Sequence, residues 1–174
     1  MLQAGTIERI QVITALLLCT VIGISDGDTL TVRCPQQSTG WLEDSEARNI
    51  RVRLADIDAP EKSQPFGQRS KQHLAALCFQ KQAEVMPQAR LDRYGRTVAH
   101  VRCDGQDANA AQVKAGMAWV YGRYAPQGSH LMALQASAMH ERLGLWSDDR
   151  PVPPWDWRRL RRVAFTPQAP DPQR

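Results

Sequence analysis

Residues 20–33 read TVIGISDGDTLTVR, two runs rich in β-branched residues on either side of Asp26-Gly27. Val, Ile and Thr suit a pleated, half-buried surface, and Asp-Gly is a strong hairpin-turn signal. The spacing predicts antiparallel strands over 20–25 and 29–33. Residues 35–48 (PQQSTGWLEDSEAR) are polar and turn-rich, and Ile50 to Leu54 is a third β-branched run. The first third of the chain is therefore expected to form a three-stranded meander joined by one surface loop.

Beyond the meander the period changes. From Gly67 to Phe79, Leu74, Leu77 and Cys78 recur at helical spacing with Arg69, Lys71 and Gln72 on the opposite side. Strand-like runs return at 83–86 and 97–102 around Asp92-Arg93-Tyr94-Gly95-Arg96. Helices are expected at 108–115, with Asp107 as N-cap, and at 129–143, with Ser129 as N-cap and Gly144 closing it. This order predicts an α+β fold, a five-stranded OB-fold β-barrel with about three packed helices. No internal repeat interrupts it.

The chain's 174 residues suit one domain. It divides into an apolar segment at 1–18, a globular domain at 19–147 and an extension at 148–174, whose proline-rich end, after about 165, is not expected to pack. Ile10 to Leu18 resembles the apolar core of a signal peptide but lacks a small-residue cleavage site; it reads either as an export signal or as a first buried element. Cys19, Cys34, Cys78 and Cys103 form no CxxC pair, which argues against a zinc ribbon. Cys19 and Cys34 lie symmetrically about the Asp-Gly turn, leaving Cys78 for Cys103; reduced thiols of a cytoplasmic protein are the alternative. The net charge of +4 is compatible with an anionic partner but too small to specify one. No run of 18 apolar residues could span a bilayer.

Chemistry-bearing residues concentrate in three segments. In SDGDTL, Asp26 has a ready role in the turn, whereas Asp28, one residue beyond it, is free to face a ligand. In RVRLADIDAPEK, Arg51, Arg53, Asp56, Asp58 and Glu61 fall within eleven residues. Crowded carboxylates repel unless a hard cation such as calcium or magnesium takes their oxygens; a solvated acidic strand end is the bland reading. Pro60 ends the strand, letting Glu61 reach over a cleft as a general base. Strict alternation sets Arg53 opposite Asp56 and Asp58, so convergence needs a bulge or barrel curvature. In LDRYGRTVAH, Arg96 follows a glycine turn beside Tyr94, a stacking surface for a base; an ordinary hairpin with exposed arginines is the alternative. Cleaving a phosphodiester calls for a cation, two guanidinium groups and a carboxylate base.

DGDT (26–29), RLADIDAPE (53–61), DRYGR (92–96) and GMAWVY (116–121) occur in the order found in the staphylococcal nuclease family, which the chain resembles over about 19–146. The resemblance implies calcium-dependent hydrolysis of DNA and RNA with low sequence specificity, leaving 3′-phosphate ends. It implies Asp28 and Asp58 as calcium ligands, with Ala59 contributing its main-chain carbonyl where the family's prototype has threonine. Arg53 and Arg96 resemble the phosphate-binding arginines and Glu61 the general base. Tyr94, Tyr121 and Tyr124 are the candidate substrate contacts, since Gly122 falls where the prototype has a tyrosine. The cysteines and the longer 35–48 loop depart from the prototype and point to a periplasmic or secreted protein, with a cytoplasmic location as the alternative; a monomer with no membrane partner is expected. A non-catalytic OB-fold nucleic-acid-binding module is the competing function. The PVPPWDWRR stretch (151–159) lies beyond the matched region, and its tryptophans are expected to pack on the barrel. No role is assigned to His73, His100, His130 or His140.

Overall fold

The computed structural model describes residues 16–35, 47–122 and 128–164. The meander is present: β1 (Leu17–Ile24) pairs with β2 (Thr29–Cys34), and β2 pairs with β3 (Arg48–Leu54), both antiparallel. β1 starts earlier than expected, because Leu17 and Leu18 pair with Val85 and Glu84 of β5 (Gln82–Leu91). β5 returns antiparallel to β6 (Thr97–Cys103), with an irregularity between Pro87 and Leu91. A parallel pairing of β3 with β6, Val52 to Thr97 through Leu54 to Ala99, closes these five strands into a barrel. That closure is why the barrel has no free edge at the centre of the molecule.

Inward positions follow the period-two pattern: Val21, Leu30, Val32, Val52, Leu54, Val85 and Val101 are fully buried. Helix α1 (Gly67–Cys78) plugs one end with Leu74, Leu77 and Cys78. Both expected disulfides are formed. Cys19 and Cys34 are cross-strand partners with Cα atoms 4.3 Å apart, and Cys78 ties the end of α1 to Cys103 of β6 at 5.2 Å.

Short strands β4 (Ile57–Asp58) and β8 (Trp119–Val120) pair beside the barrel, while β7 (Gln106–Asp107) leads into α2 (Ala108–Lys114). Asp107 caps α2 as expected, its carboxylate accepting from Ala110 N. Helix α3 (His130–His140) is shorter than its apolar pattern suggested, and Ser129 at its N-cap makes no side-chain capping bond.

A fourth helix, α4 (Pro154–Ala164), corrects the expected helix count. Its signals lie in PWDWRRLRRVA: proline at the first position, Asp156 in the first turn, and Arg161 and Arg162 in the last, each complementing the helix dipole. Of the tryptophans expected on the barrel, Trp155 packs instead on Trp119 of β8, beside the barrel, at 5.9 Å between ring centroids, and Trp119 in turn meets Trp146 at 4.2 Å. Tyr124 and the proline-rich end after 165 lie outside the described residues, as do residues 1–15 and most of the 35–48 loop.

Candidate active site

The β1–β2 turn carries the first carboxylate. Asp26 does act in the turn, accepting from the backbone N–H of Asp28 at 3.1 Å. Burial, reinforced by the nearby Asp28 charge, pushes the Asp26 carboxyl up to about 6. Asp28 is itself buried, bonded to Thr29 Oγ1 at 3.0 Å and to the backbone N–H of Ala59 at 2.8 Å. Ala59 thus meets Asp28 through its amide.

This turn is seated by close packing. A Cβ on Gly27 would fall 1.8 Å from Ser70 Oγ and 2.8 Å from the Ala59 Cβ, so only glycine lets the turn lie against α1. Gln112 of α2, with no exposed surface, donates to the Gly27 carbonyl and to the Ser70 carbonyl. Three residues earlier on the same helix, buried Asn109 accepts from Val101 N and donates to Ala55 O at 2.8 Å.

Ala55 opens the bend that solves the alternation problem. Asp56 adopts φ 61°, a left-handed conformation that aspartate tolerates, and this breaks the strand between β3 and β4. The break turns Asp56 away, to 3.3 Å from His100 Nε2, and brings Asp58 to the side of Arg53. Arg53 Nη1 donates to the carbonyls of Leu54 at 2.7 Å and Ile57 at 2.8 Å. Its Nη2 lies 3.0 Å from Asp58 Oδ1 and 3.3 Å from Asp28 Oδ2. One nitrogen therefore bridges Asp28 and Asp58, the second of which strand periodicity kept apart from it.

Arg96 approaches from the β5–β6 loop. Its Nε donates to Asp92 at 2.7 Å and its Nη1 to Thr29 Oγ1 at 2.9 Å, next to Asp28. Asp92 also accepts the backbone N–H groups of Tyr94 and Arg96. Burial acts to raise its carboxyl, but these hydrogen bonds outweigh it and hold the group below its usual value. Tyr94 is 64% exposed, with the guanidinium groups of Arg93 and Arg96 about its ring at 4.8 and 5.4 Å from the centroid.

Glu61 sits past Pro60 on a loop held by Gln64, whose Oε1 accepts from Glu61 N and whose Nε2 donates to Val152 O at 2.6 Å. Helix α1 starts directly beneath: a Cβ on Gly67 would come within 2.0 Å of the Glu61 carbonyl oxygen. The Glu61 carboxylate does not stand open to the cleft. Arg158 of α4 donates to Glu61 Oε1 at 2.6 Å and to Asp58 Oδ2 at 2.6 Å. Burial pushes the Asp58 carboxyl up, against the opposing pull of Arg158. Alongside, Trp155 packs on Tyr121 with centroids 5.2 Å apart.

The structure thus gathers Asp28, Arg53, Asp58, Ala59, Glu61 and Arg96 into one patch, with Tyr94 at its exposed rim and Tyr121 under α4. Among the described residues no group of three or more His, Cys, Asp or Glu side chains forms a ready-made metal cage. The donor chemistry nevertheless fits a hard cation. Two buried carboxylates share one guanidinium nitrogen, and like charges so close gain from a cation between them. Sequence reasoning missed Arg158, Gln112, Asn109 and Gln64. The polar pair Asn109 and Gln112, three apart among Ala and Val, was a legible sign of a helix reaching into the core with hydrogen bonds to make.

Residues 51–148 match the family model described as "Staphylococcal nuclease homologue". An uncharacterized endonuclease of Haemophilus influenzae is 43% identical over 145 residues, covering 83% of this chain and 75% of its own. A micrococcal nuclease of Shigella flexneri is 40% identical over 154 residues, covering 83% and 82%. An uncharacterized endonuclease of Escherichia coli O157:H7 is 40% identical over 139 residues, covering 79% and 82%.

Proposed function

The chain belongs to the staphylococcal nuclease family and is a nucleic-acid hydrolase, and from that premise we propose a calcium-dependent nuclease that cuts DNA and RNA with low sequence specificity and leaves 3′-phosphate ends. The observation that carries this reading is Arg53 bridging Asp28 and Asp58, with Arg96 fixed one residue away on Thr29.

Asp28 and Asp58 would hold the calcium ion, with the Ala59 carbonyl as a third donor. When bound, the ion supplies positive charge that polarises a phosphoryl oxygen and stabilises the charge developing on phosphorus. Glu61 takes a proton from the attacking water; it is half exposed, so water reaches it once Arg158 is elsewhere. Arg53 and Arg96 donate to the non-bridging oxygens. Both forks are already held by backbone or carboxylate partners, so little reorganisation is needed as the phosphorane-like charge builds. Tyr94, Tyr121 and Tyr124 would line the path of the nucleotide and offer faces for base stacking. Two disulfides favour a periplasmic or secreted protein, and the chain is read as a monomer.

The test is the calcium dependence of Asp28→Ala set against end-group analysis of the wild-type products. Removing a ligand should raise the calcium needed for half-maximal cleavage by about tenfold or more. An unchanged calcium profile would contradict the ligand role, and 5′-phosphate ends would contradict the proposed bond cleavage.

A further inference from the structure

Helix α4 lies over both halves of the proposed site. At one end, Trp155 covers Tyr121. One turn later, Arg158 spans Asp58 and Glu61 with two charge-assisted hydrogen bonds of 2.6 Å. Trp155 and Arg158 are three residues apart and share a helix face, so docking that face delivers both together.

The guanidinium stands where positive charge is wanted by Asp58, whose side chain is 3% exposed. A divalent cation on the same carboxylate oxygens would confront Arg158 with like charge and remove its acceptors. The two cannot be held at full strength at once.

Docking is also imperfect enough to reverse. Arg158 and Glu61 are about two-fifths exposed, so their pair is weakened by solvent. Beneath the helix, Trp157 Nε1 is buried with no hydrogen-bond partner among the described residues, a standing cost of the docked state. The strap before α4 is tied down by Gln64 on Val152, so release would pivot beyond that point.

We infer that α4 is an autoinhibitory cap: Arg158 is a tethered cation that competes with the divalent metal for Asp58 and ties up the Glu61 base, while Trp155 covers the Tyr121 surface. The inference rests on reading Asp28 and Asp58 as the metal's ligands. Calcium binding and cap docking are then mutually exclusive, and the measured calcium affinity of the wild type is reduced by the fraction of molecules that are capped.

The experiment is calcium titration calorimetry on the full chain, comparing wild type, Arg158→Gln and Trp155→Ala, with trypsin cleavage after Arg159 and Arg161 followed with and without calcium. If nine molecules in ten are capped, both variants should bind calcium about tenfold more tightly, and calcium should speed trypsin cleavage in the wild type. Trp155→Ala is the decisive variant, since it removes no charge. Tightening in Arg158→Gln alone would reduce the effect to local electrostatics and overturn the cap. Unchanged affinity in both variants, with calcium-dependent cleavage of DNA intact, would overturn the cap and leave the nuclease reading standing. No calcium binding by any of the three, with no cleavage of DNA, would overturn both.

Discussion

The two sides of the site are built differently. On the barrel side, Asp28, Arg53 and Asp58 are fixed by strand pairing or by bonds to backbone, Arg96 is held by Asp92 and Thr29, and Asp28 and Asp58 are buried. On the α4 side, Glu61 and Arg158 are held by one another across a surface some two-fifths exposed. Groups that must stabilise developing charge gain from being immobile before the reaction begins, whereas a general base must meet water. On the proposed reading this difference divides the chemistry: the rigid side would grip phosphate and cation, and the exchangeable side would admit the nucleophile.

Breaking the rigid side should cost stability as well as function. Gln112→Ala would leave the buried Gly27 carbonyl without its donor, a loss of about 1–3 kcal/mol in urea unfolding, together with weaker calcium binding as the Asp28 turn loosens. A stability loss with calcium affinity unchanged would show that Gln112 supports the core but does not position Asp28.

Asp92→Asn sharpens the same contrast at smaller scale. The folded-state carboxyl titrates below its ordinary value, so its contribution is present at neutral pH and is lost as pH falls below about 4. The pair is partly solvated, so the variant should lose only a few tenths to about 1 kcal/mol at pH 7. Wild type and variant should converge once the pH has fallen through the depressed folded-state value. A difference that persists there would mean that the ionised carboxylate is not its source.

Much of this is legible in the amino-acid sequence itself. Cys19 and Cys34 are joined as their symmetry about Asp26-Gly27 suggested, although the pairs nearest the turn, Gly23 with Thr31 and Ile24 with Leu30, are offset by one and an irregularity between Val21 and Gly23 restores the register. Asp28, Arg53, Asp58, Glu61 and Arg96 were picked out by their density and by the family's motifs, and they lie together.

Periodicity misled at Arg53 and Asp58, since one residue at positive φ, Asp56, reverses the facing of everything after it and leaves no mark in a hydrophobic pattern. α4 was missed for a different reason. Prolines and tryptophans look like punctuation and packing, while the helix signals at Pro154, Asp156 and the terminal arginines are weak individually. Where α4 docks depends on contacts nearly 100 residues apart in sequence, Arg158 with Asp58 and Glu61, which local pattern does not encode.

On the proposed reading, this patch hydrolyses phosphodiesters with Glu61 as base. Digestion of supercoiled plasmid and single-stranded RNA by wild type and Glu61→Gln, each with calcium, with magnesium and with chelator, tests it most directly. Calcium-dependent degradation by the wild type is expected, with turnover roughly 10²–10⁴-fold lower in the variant and nucleic-acid binding nearly unchanged. Equal loss of binding and turnover, or degradation that continues in chelator, would contradict it.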